Sequence, residues 1–417
     1  MKILLVHNYY GTSAPSGENN VFEAERAMLE KHGHEVRVYM RHSDEIRKVA
    51  SGGCLIVWLR KLKGVVKGAL CTMGNPFVAR AITRICREFN PDVVHFHNTF
   101  PLISPLAVRA ASKYAPVVLT LHNYRVACAA GFPTREGRVC SLCLDKKCAL
   151  DGARYRCYRG SLLASLPLIL NIALYRRRLP KWVSRFIVLS EFQKQKMVRY
   201  GFPEKKIMVK GNYVERVVGG AVDERVEKKS QIVYVGRLSK EKGVATLIKA
   251  FYVLRDWAKC EKFSTCSVRL NELKLVIVGD GVDLAKLEKL AKGLNVEFVG
   301  LKSRREIRRL MSESKATVLP SEWWETFGLV VVESMLEGTP VVVSNLGALP
   351  EIVHSDKFGE VFKAGNVESL AEGIAQVVSR SDYADMCAAA RHEAETKYSA
   401  EINYLKLIGI YESAVCG

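Results

Sequence analysis

Apolar positions in the first half of the chain fall into short runs separated by stretches of helical spacing. The runs at 2–6, 35–40, 92–96, 116–121, 186–189 and 206–210 read as strands, and stretches such as 21–31 and 77–89 as helices. Strands alternating with helices predict βαβ units and a parallel sheet. The polar, charged segment 221–230, AVDERVEKKS, then reads as a linker. After it the pattern restarts, with strands at 231–235, 273–278, 296–298, 316–319 and 340–343 and helices at 282–292 and 303–314. The chain therefore reads as two doubly wound α/β domains, 1–220 and 221–395, whose strand carboxyl ends face each other across a cleft where ligands bind. The final stretch, 396–417, contains a helical pattern at 400–414 and is expected to pack back on the N-terminal domain.

Length and composition fit this reading. A chain of 417 residues has room for two or three domains. Apolar residues at 48% and charged residues at 25% exclude a disordered chain, a collagen-like repeat and a small disulfide scaffold. The start, MKILLVHNYYGTS, reads as a buried strand and not as a signal peptide. No stretch reaches the ~20 apolar residues needed to span a bilayer; the nearest, 162–174, contains Pro167 and Asn171. The expected compartment is cytoplasmic, which argues against disulfides among the 12 Cys.

Three segments carry candidate chemistry. In QIVYVGRLSKEKG (231–243) a buried strand runs into Gly236 and Arg237, and Lys242 follows. Glycine lets a ligand approach the backbone, and Arg and Lys past a strand end suit a diphosphate. In LKLVIVGDG (273–281) a strand ends in a turn of nucleotide-binding type, Gly279-Asp280-Gly281. No complete G-x-G-x-x-G or G-x-x-x-x-G-K-[ST] occurs, so a dinucleotide dehydrogenase and a P-loop ATPase lose support. In PSEWWETFGLVVVESMLEGTP (320–340) Glu325 and Glu333 stand eight residues apart. On one helix that spacing would put both on one face. Free N–H groups at a helix start nearby would attract a phosphate.

In these segments the chain resembles a family 4 retaining glycosyltransferase of the GT-B fold. The resemblance rests on Glu325-x7-Glu333, on Gly236-Arg237-Leu238 with Lys242-Gly243, and on Val94-His95-Phe96-His97-Asn98. It extends to Leu346-Gly347-Ala348-Leu349-Pro350-Glu351-Ile352-Val353 and so covers nearly the whole chain. It implies that Arg237 and Lys242 hold the donor diphosphate and stabilise it as it leaves. Glu325 would contact hydroxyls of the transferred sugar and Glu333 those of the ribose, with backbone N–H groups of Phe327, Gly328 and Leu329 facing sugar or phosphate. In the N-terminal domain the family's glycine loop corresponds to Ser16-Gly17-Glu18-Asn19, where Ser16 replaces the commoner first glycine. Gly17 would still allow close approach. His122 matches the family's strand-end histidine near the reacting carbon. The implied chemistry is front-face attack by the acceptor hydroxyl, with Glu325 orienting the sugar and not acting as nucleophile. The resemblance implies no catalytic metal, in agreement with the absence of Asp-x-Asp.

Cys128, Cys140, Cys143, Cys148 and Cys157 crowd an insert at about 126–158, with C-x-x-C at 140–143. They read either as ligands of a structural zinc or as partly buried free thiols, with a redox pair as the third reading. A similar insert occurs in a bacterial branch of the family that builds surface polysaccharides. The net charge of +20 is unevenly placed: 46–87 holds nine Lys or Arg and no acid, and 154–216 holds fifteen against three Glu. Segment 55–70 reads as a basic amphipathic helix, and 162–174 followed by Arg176-Arg177-Arg178 as a second. An anionic inner leaflet would attract both. No RNA-binding fingerprint is present, and nucleic acid is not an expected partner.

The leading expectation is a retaining transferase that moves a sugar from a UDP- or GDP-sugar to a glycan or lipid-linked acceptor. It would work at the cytoplasmic membrane face in polysaccharide or glycolipid synthesis. The alternatives are a nucleotide-sugar epimerase of the same fold and a non-catalytic nucleotide-sugar-binding protein.

Overall fold

The computed structural model describes residues 1–9, 17–43, 68–215, 227–258 and 270–417. Ser16, most of the basic segment 55–70 and the linker residues 221–226 lie outside them. Among the described residues no helix is long and apolar enough to cross a membrane. The chain divides into two units, one of residues 1–133, 140–211 and 403–417, the other of 134–139 and 212–402.

The first unit contains β1 (Lys2–Tyr9), β2 (Glu35–His42), β3 (Val93–Asn98) and β4 (Val117–Thr120). A small hairpin, β5 (Thr134–Arg135) and β6 (Arg138–Val139), falls in the second unit by contact. Strands β7 (Arg185–Val188) and β8 (Ile207–Val209) complete the first sheet, in the order β2-β1-β3-β4-β7-β8. Every pair in it is parallel. Ile3, Leu4, Leu5 and Val6 are all fully buried, because a central parallel strand is covered on both faces. That is why it reads as an unbroken apolar run. The strand continues beyond the run through His7 and Asn8, which are polar yet buried.

The second unit is built on β9 (Lys229–Val235), β10 (Lys274–Val278), β11 (Val296–Gly300), β12 (Ser314–Leu319), β13 (Val341–Ser344) and β14 (Gly359–Phe362). All pair in parallel, in the order β11-β10-β9-β12-β13-β14. Ile232, Leu275, Ile277 and Val318 pack with Leu247, Ile248 and Phe251 of helix Val244–Trp257 and Ile374 of helix Val367–Val378. Each such buried side chain is worth ~1.5–3 kcal/mol relative to exposure. Helix Arg304–Ser312 starts after Ser303 because that residue forms a capping box with Glu306.

By contact the chain passes from the first unit to the second after Gly211, and residues 403–416 of helix Ala400–Cys416, with Gly417, belong to the first. There the Asn403 side chain donates to the Gly211 carbonyl at 2.6 Å, and Tyr404 and Tyr411 bond His34 and His95.

Candidate active site

In the second sheet the first strand of the unit, β9, lies beside the fourth, β12. From β9 the chain winds one way to β10 and β11; from β12 it winds the other way. The loops leaving these two carboxyl ends diverge, and ligands of such sheets bind at this point. The loop after β9 supplies Gly236, Arg237 and Lys242, and the loop after β12 supplies Glu325, Phe327 and Gly328. Lys242 Nζ lies 2.7 Å from Glu325 Oε1. The same oxygen accepts from Ser321 Oγ at 2.6 Å and Trp323 Nε1 at 2.8 Å. Three donors on one oxygen fix a buried carboxylate in a single orientation. Arg237 is exposed and held in its own loop, its guanidinium 2.7 Å from Glu241 Oε1. Gly279, in the turn after β10, closes against the Gly236 backbone of the loop after β9.

Two glycines make the loop packing feasible. Gly243 has φ +69°, and a Cβ there would lie 1.8 Å from the Pro320 carbonyl oxygen. Gly347 has φ +68°, and its Cβ would lie 2.4 Å from both backbone N and O of Glu325. The next residue, Ala348, donates its N–H to the Glu325 carbonyl at 2.9 Å. The backbone of Glu325 is therefore clamped as firmly as its side chain.

The structure corrects the expectation that Glu325 and Glu333 share a helix face. The helix is Leu329–Leu336, and Glu325 lies in the loop before it. Gly328, at φ 103°, turns the chain into the helix, so the eight-residue spacing spans a loop and one turn. Phe327 is buried against Tyr398, while Gly328 and Leu329 at the helix start are partly exposed. The first N–H groups of any helix lack partners within it.

Glu333 is half-buried. Burial pushes its carboxyl up to about 7, against the pull of Arg304 and Arg308. A raised acid stabilises the fold fully below its unfolded value, near 4.5, and this contribution is lost as pH rises towards 7. Glu333→Gln is therefore expected to flatten the fall in thermal midpoint between pH 5 and 8, which a melting series measures.

In the first unit His122 follows β4 and is buried. Its ring is held down to about 3 by burial, with the Glu25 charge opposing and His7 and Lys210 adding to the shift. His122 Nε2 lies 3.2 Å from His97 Nδ1. His97 Nε2 in turn lies 3.3 Å from Glu25 Oε2, and Lys210 Nζ pairs with Glu25 Oε1. Burial alone would raise the Glu25 carboxyl, but the Lys210 and His95 charges outweigh it and hold it below its usual range. Gly17 opens helix Gly17–Lys31 with open space around it, and Glu18 beside it accepts from the Asn123 side chain at 2.7 Å.

Apart from His122, the members of this buried cluster are not among the expected site residues. His95 and His97 alternate along β3 and so share a face, a period-two signal present in the sequence. Glu25 sits among Val21, Phe22, Met28 and Leu29 on the buried face of its helix, a charge at a core position. Lys210 had no signal beyond its place at a strand end.

None of the five insert cysteines is in a disulfide. Among the described residues the one group of three or more candidate ligands gathered within 4.8 Å is Glu25, His95 and His97. No three of the insert sulfurs meet that limit, whereas zinc thiolate sites hold sulfur at ~2.3 Å from the metal. Cys128, Cys140 and Cys157 all lie near enough to Cys143 to raise its thiol. Burial pushes the Cys128 and Cys143 thiols up to about 11 and 12. A thiol that stays protonated is a poor nucleophile.

The family model for Glycosyltransferase Family 4 matches residues 16–215, and the model for Glycosyl transferases group 1 matches residues 221–394. The chain belongs to the family 4 glycosyltransferases, with two Rossmann-like parallel-sheet units of the GT-B kind. It is 32% identical over 189 residues to the GDP-mannose-dependent alpha-(1-6)-phosphatidylinositol dimannoside mannosyltransferase of Mycobacterium tuberculosis, covering 45% of this chain and 46% of that one. It is 26% identical over 232 residues to the amylovoran biosynthesis glycosyltransferase AmsK of Erwinia amylovora, covering 54% and 55%. The chain spans about half the length of the curated relatives it matches. The crystal structure of HepE of Anabaena in complex with UDP has the same fold, with TM-score 0.61 and 18% identity over 99% of this chain and 100% of that one.

Proposed function

We propose that the protein is a retaining glycosyltransferase that moves a sugar from a UDP- or GDP-sugar to a glycan or lipid-linked glycan acceptor. The work would be done at the cytoplasmic face of the membrane, in polysaccharide or glycolipid synthesis. The observation that carries the reading is the Lys242–Glu325 pair at the point where the second sheet reverses its winding. A cation beside a fixed carboxylate there suits a diphosphate joined to a sugar. The UDP bound to HepE and the GDP-mannose dependence of the mycobacterial relative support the donor class.

In this reading Lys242 and Arg237 neutralise the diphosphate, and the helix start at Gly328 and Leu329 adds N–H donors. Glu325 orients sugar hydroxyls, and Glu333 binds the ribose. Protein cations carry the leaving-group charge, and no metal is assigned to catalysis. The test is incubation with each donor and a lipid-linked glycan extract, followed by product analysis. A glycoside that keeps the donor's anomeric configuration supports the reading. An inverted glycoside refutes retention, and an epimerised nucleotide sugar refutes transfer.

The membrane assignment draws on helix Leu162–Tyr175. Leu163, Leu166, Leu170 and Leu174 remain exposed on it, and Arg176-Arg177-Arg178 follow. Leucines at this spacing share one face. The protein is expected to sediment with vesicles containing phosphatidylglycerol and to be released by salt. Leu163→Asp with Leu170→Asp should abolish sedimentation; unchanged sedimentation would exclude this helix as the contact.

A further inference from the structure

Four cysteines of the first unit are each pinned at a tight turn by backbone hydrogen bonds. The Cys128 N–H donates to the Tyr124 carbonyl at 2.8 Å, and the Cys128 carbonyl accepts from the Gly131 N–H at 2.9 Å. Cys140 follows the hairpin of β5 and β6, with its N–H on the Pro133 carbonyl at 2.8 Å. Cys143 falls in the short helix Leu142–Asp145 that comes next. Cys157 follows helix Asp151–Arg154, with its N–H on the Gly152 carbonyl at 3.0 Å. The fold gathers the four. Cys128, Cys140 and Cys157 each lie near enough to Cys143 to act on its thiol, and Cys157 acts on Cys128 as well. All four are buried or half-buried, whereas Cys148 is exposed.

This part of the chain has little else to hold it. Its regular structure is two strands of two residues and two helices of four. To the buried cluster around helix Leu162–Tyr175 it contributes only Ala129 and Ala149. In and just beyond it, Glu136, Lys147, Arg156 and Arg159 adopt left-handed φ angles of 55°, 52°, 48° and 56°, a region that side chains disfavour. Strained turns on so small a core call for a staple, either a disulfide or a metal. None of the four cysteines is in a disulfide. The charge around them suits a metal. A divalent cation held by four thiolates carries a net double negative charge. Residues 125–159 hold eight Lys or Arg against three acids, and the Arg125 charge reaches Cys128.

We propose that Cys128, Cys140, Cys143 and Cys157 bind one structural zinc ion, which ties the hairpin, the two short helices and the turn at 124–131 into one body. An all-thiolate set selects a soft tetrahedral ion. Four protein ligands close the tetrahedron, so no position remains for water or substrate and the ion's role is to hold the fold. The sulfurs stand farther apart than they do around an ion. Protonated thiols have nothing to draw them together. On binding, four S–H bonds break, the protons pass to solvent, and four Zn–S bonds form. Each sulfur swings in about its own Cα–Cβ bond while the pinned backbone stays in place.

The test is the metal content of the full-length protein, purified under reducing conditions with no chelator and no metal-affinity column. One zinc per chain is expected, released as a mercurial titrates the thiols. Cys128→Ser and Cys143→Ser should each lose the zinc, and Cys148→Ser should keep it. If the ligand variants do not fold, wild type stripped of metal under reduction is given Co²⁺, and the intense visible bands of a tetrahedral thiolate site are expected. Stripping should also open the arginines of 135–159 to trypsin, and added Zn²⁺ should protect them again. Wild type that carries no zinc and gives no tetrahedral cobalt bands would overturn the proposal. So would zinc retained in folded Cys143→Ser, zinc lost in Cys148→Ser, or an iron–sulfur cluster in place of zinc. None of these readouts depends on turnover.

Discussion

Lys242→Ala is expected to lower kcat by ~10²–10³-fold, the cost of removing one preorganised charge donor from a leaving group. Lys242 is the one cation bonded to Glu325 Oε1 among the described residues, and its side chain is only 20% exposed. As the bond to the sugar breaks, negative charge grows on the departing diphosphate, and a fixed ammonium stabilises that state more than the ground state. Ser321 and Trp323 still hold Glu325 after the substitution, so the stability loss should stay at about 1–2 kcal/mol. Steady-state rates and melting curves on the same preparation separate the two effects. A kcat within threefold of wild type, in a folded variant, would remove Lys242 from the chemistry.

Gly347→Val is expected to destabilise the second unit by about 2–4 kcal/mol and to abolish donor binding. Two costs add. A side chain is strained at φ +68°, and its Cβ would fall 2.4 Å from backbone N and O of Glu325. Backbone atoms cannot swing aside as a lysine tip can, so the loop after β12 must move and carry the Glu325 carboxylate with it. For a unit of this size the thermal midpoint should fall by roughly 5–15 °C. The clamp would be refuted by a variant that melts with wild type and binds donor normally.

The sequence carried most of the architecture because both sheets are covered on both faces. Buried strands such as β1 and β10 read as unbroken apolar runs, and their alternation with helices leaves few topologies. What it obscured was polar. Strand β1 runs on through His7 and Asn8, and β14, Gly359–Phe362, is too short and mixed to stand out. In the second unit Lys242 and Glu325 were legible as candidate site residues because each follows a strand end. The geometry of Glu325 was not, since a residue spacing cannot reveal that Gly328 breaks the helix before it reaches Glu325. The buried cluster of Glu25, His97 and His122 was hidden for another reason: its members lie far apart in the chain and meet only once the sheet is assembled.

The account rests on a nucleoside-diphosphate sugar site at the carboxyl ends of β9 and β12. Its most direct test is the thermal stability of the purified protein against a panel of UDP-, GDP-, ADP- and dTDP-sugars. A ligand at 100 times its dissociation constant should stabilise by ~2.7 kcal/mol. The account predicts a shift for one nucleotide class, lost in Lys242→Ala. No shift with any member of the panel, or an equal shift in that variant, would contradict it.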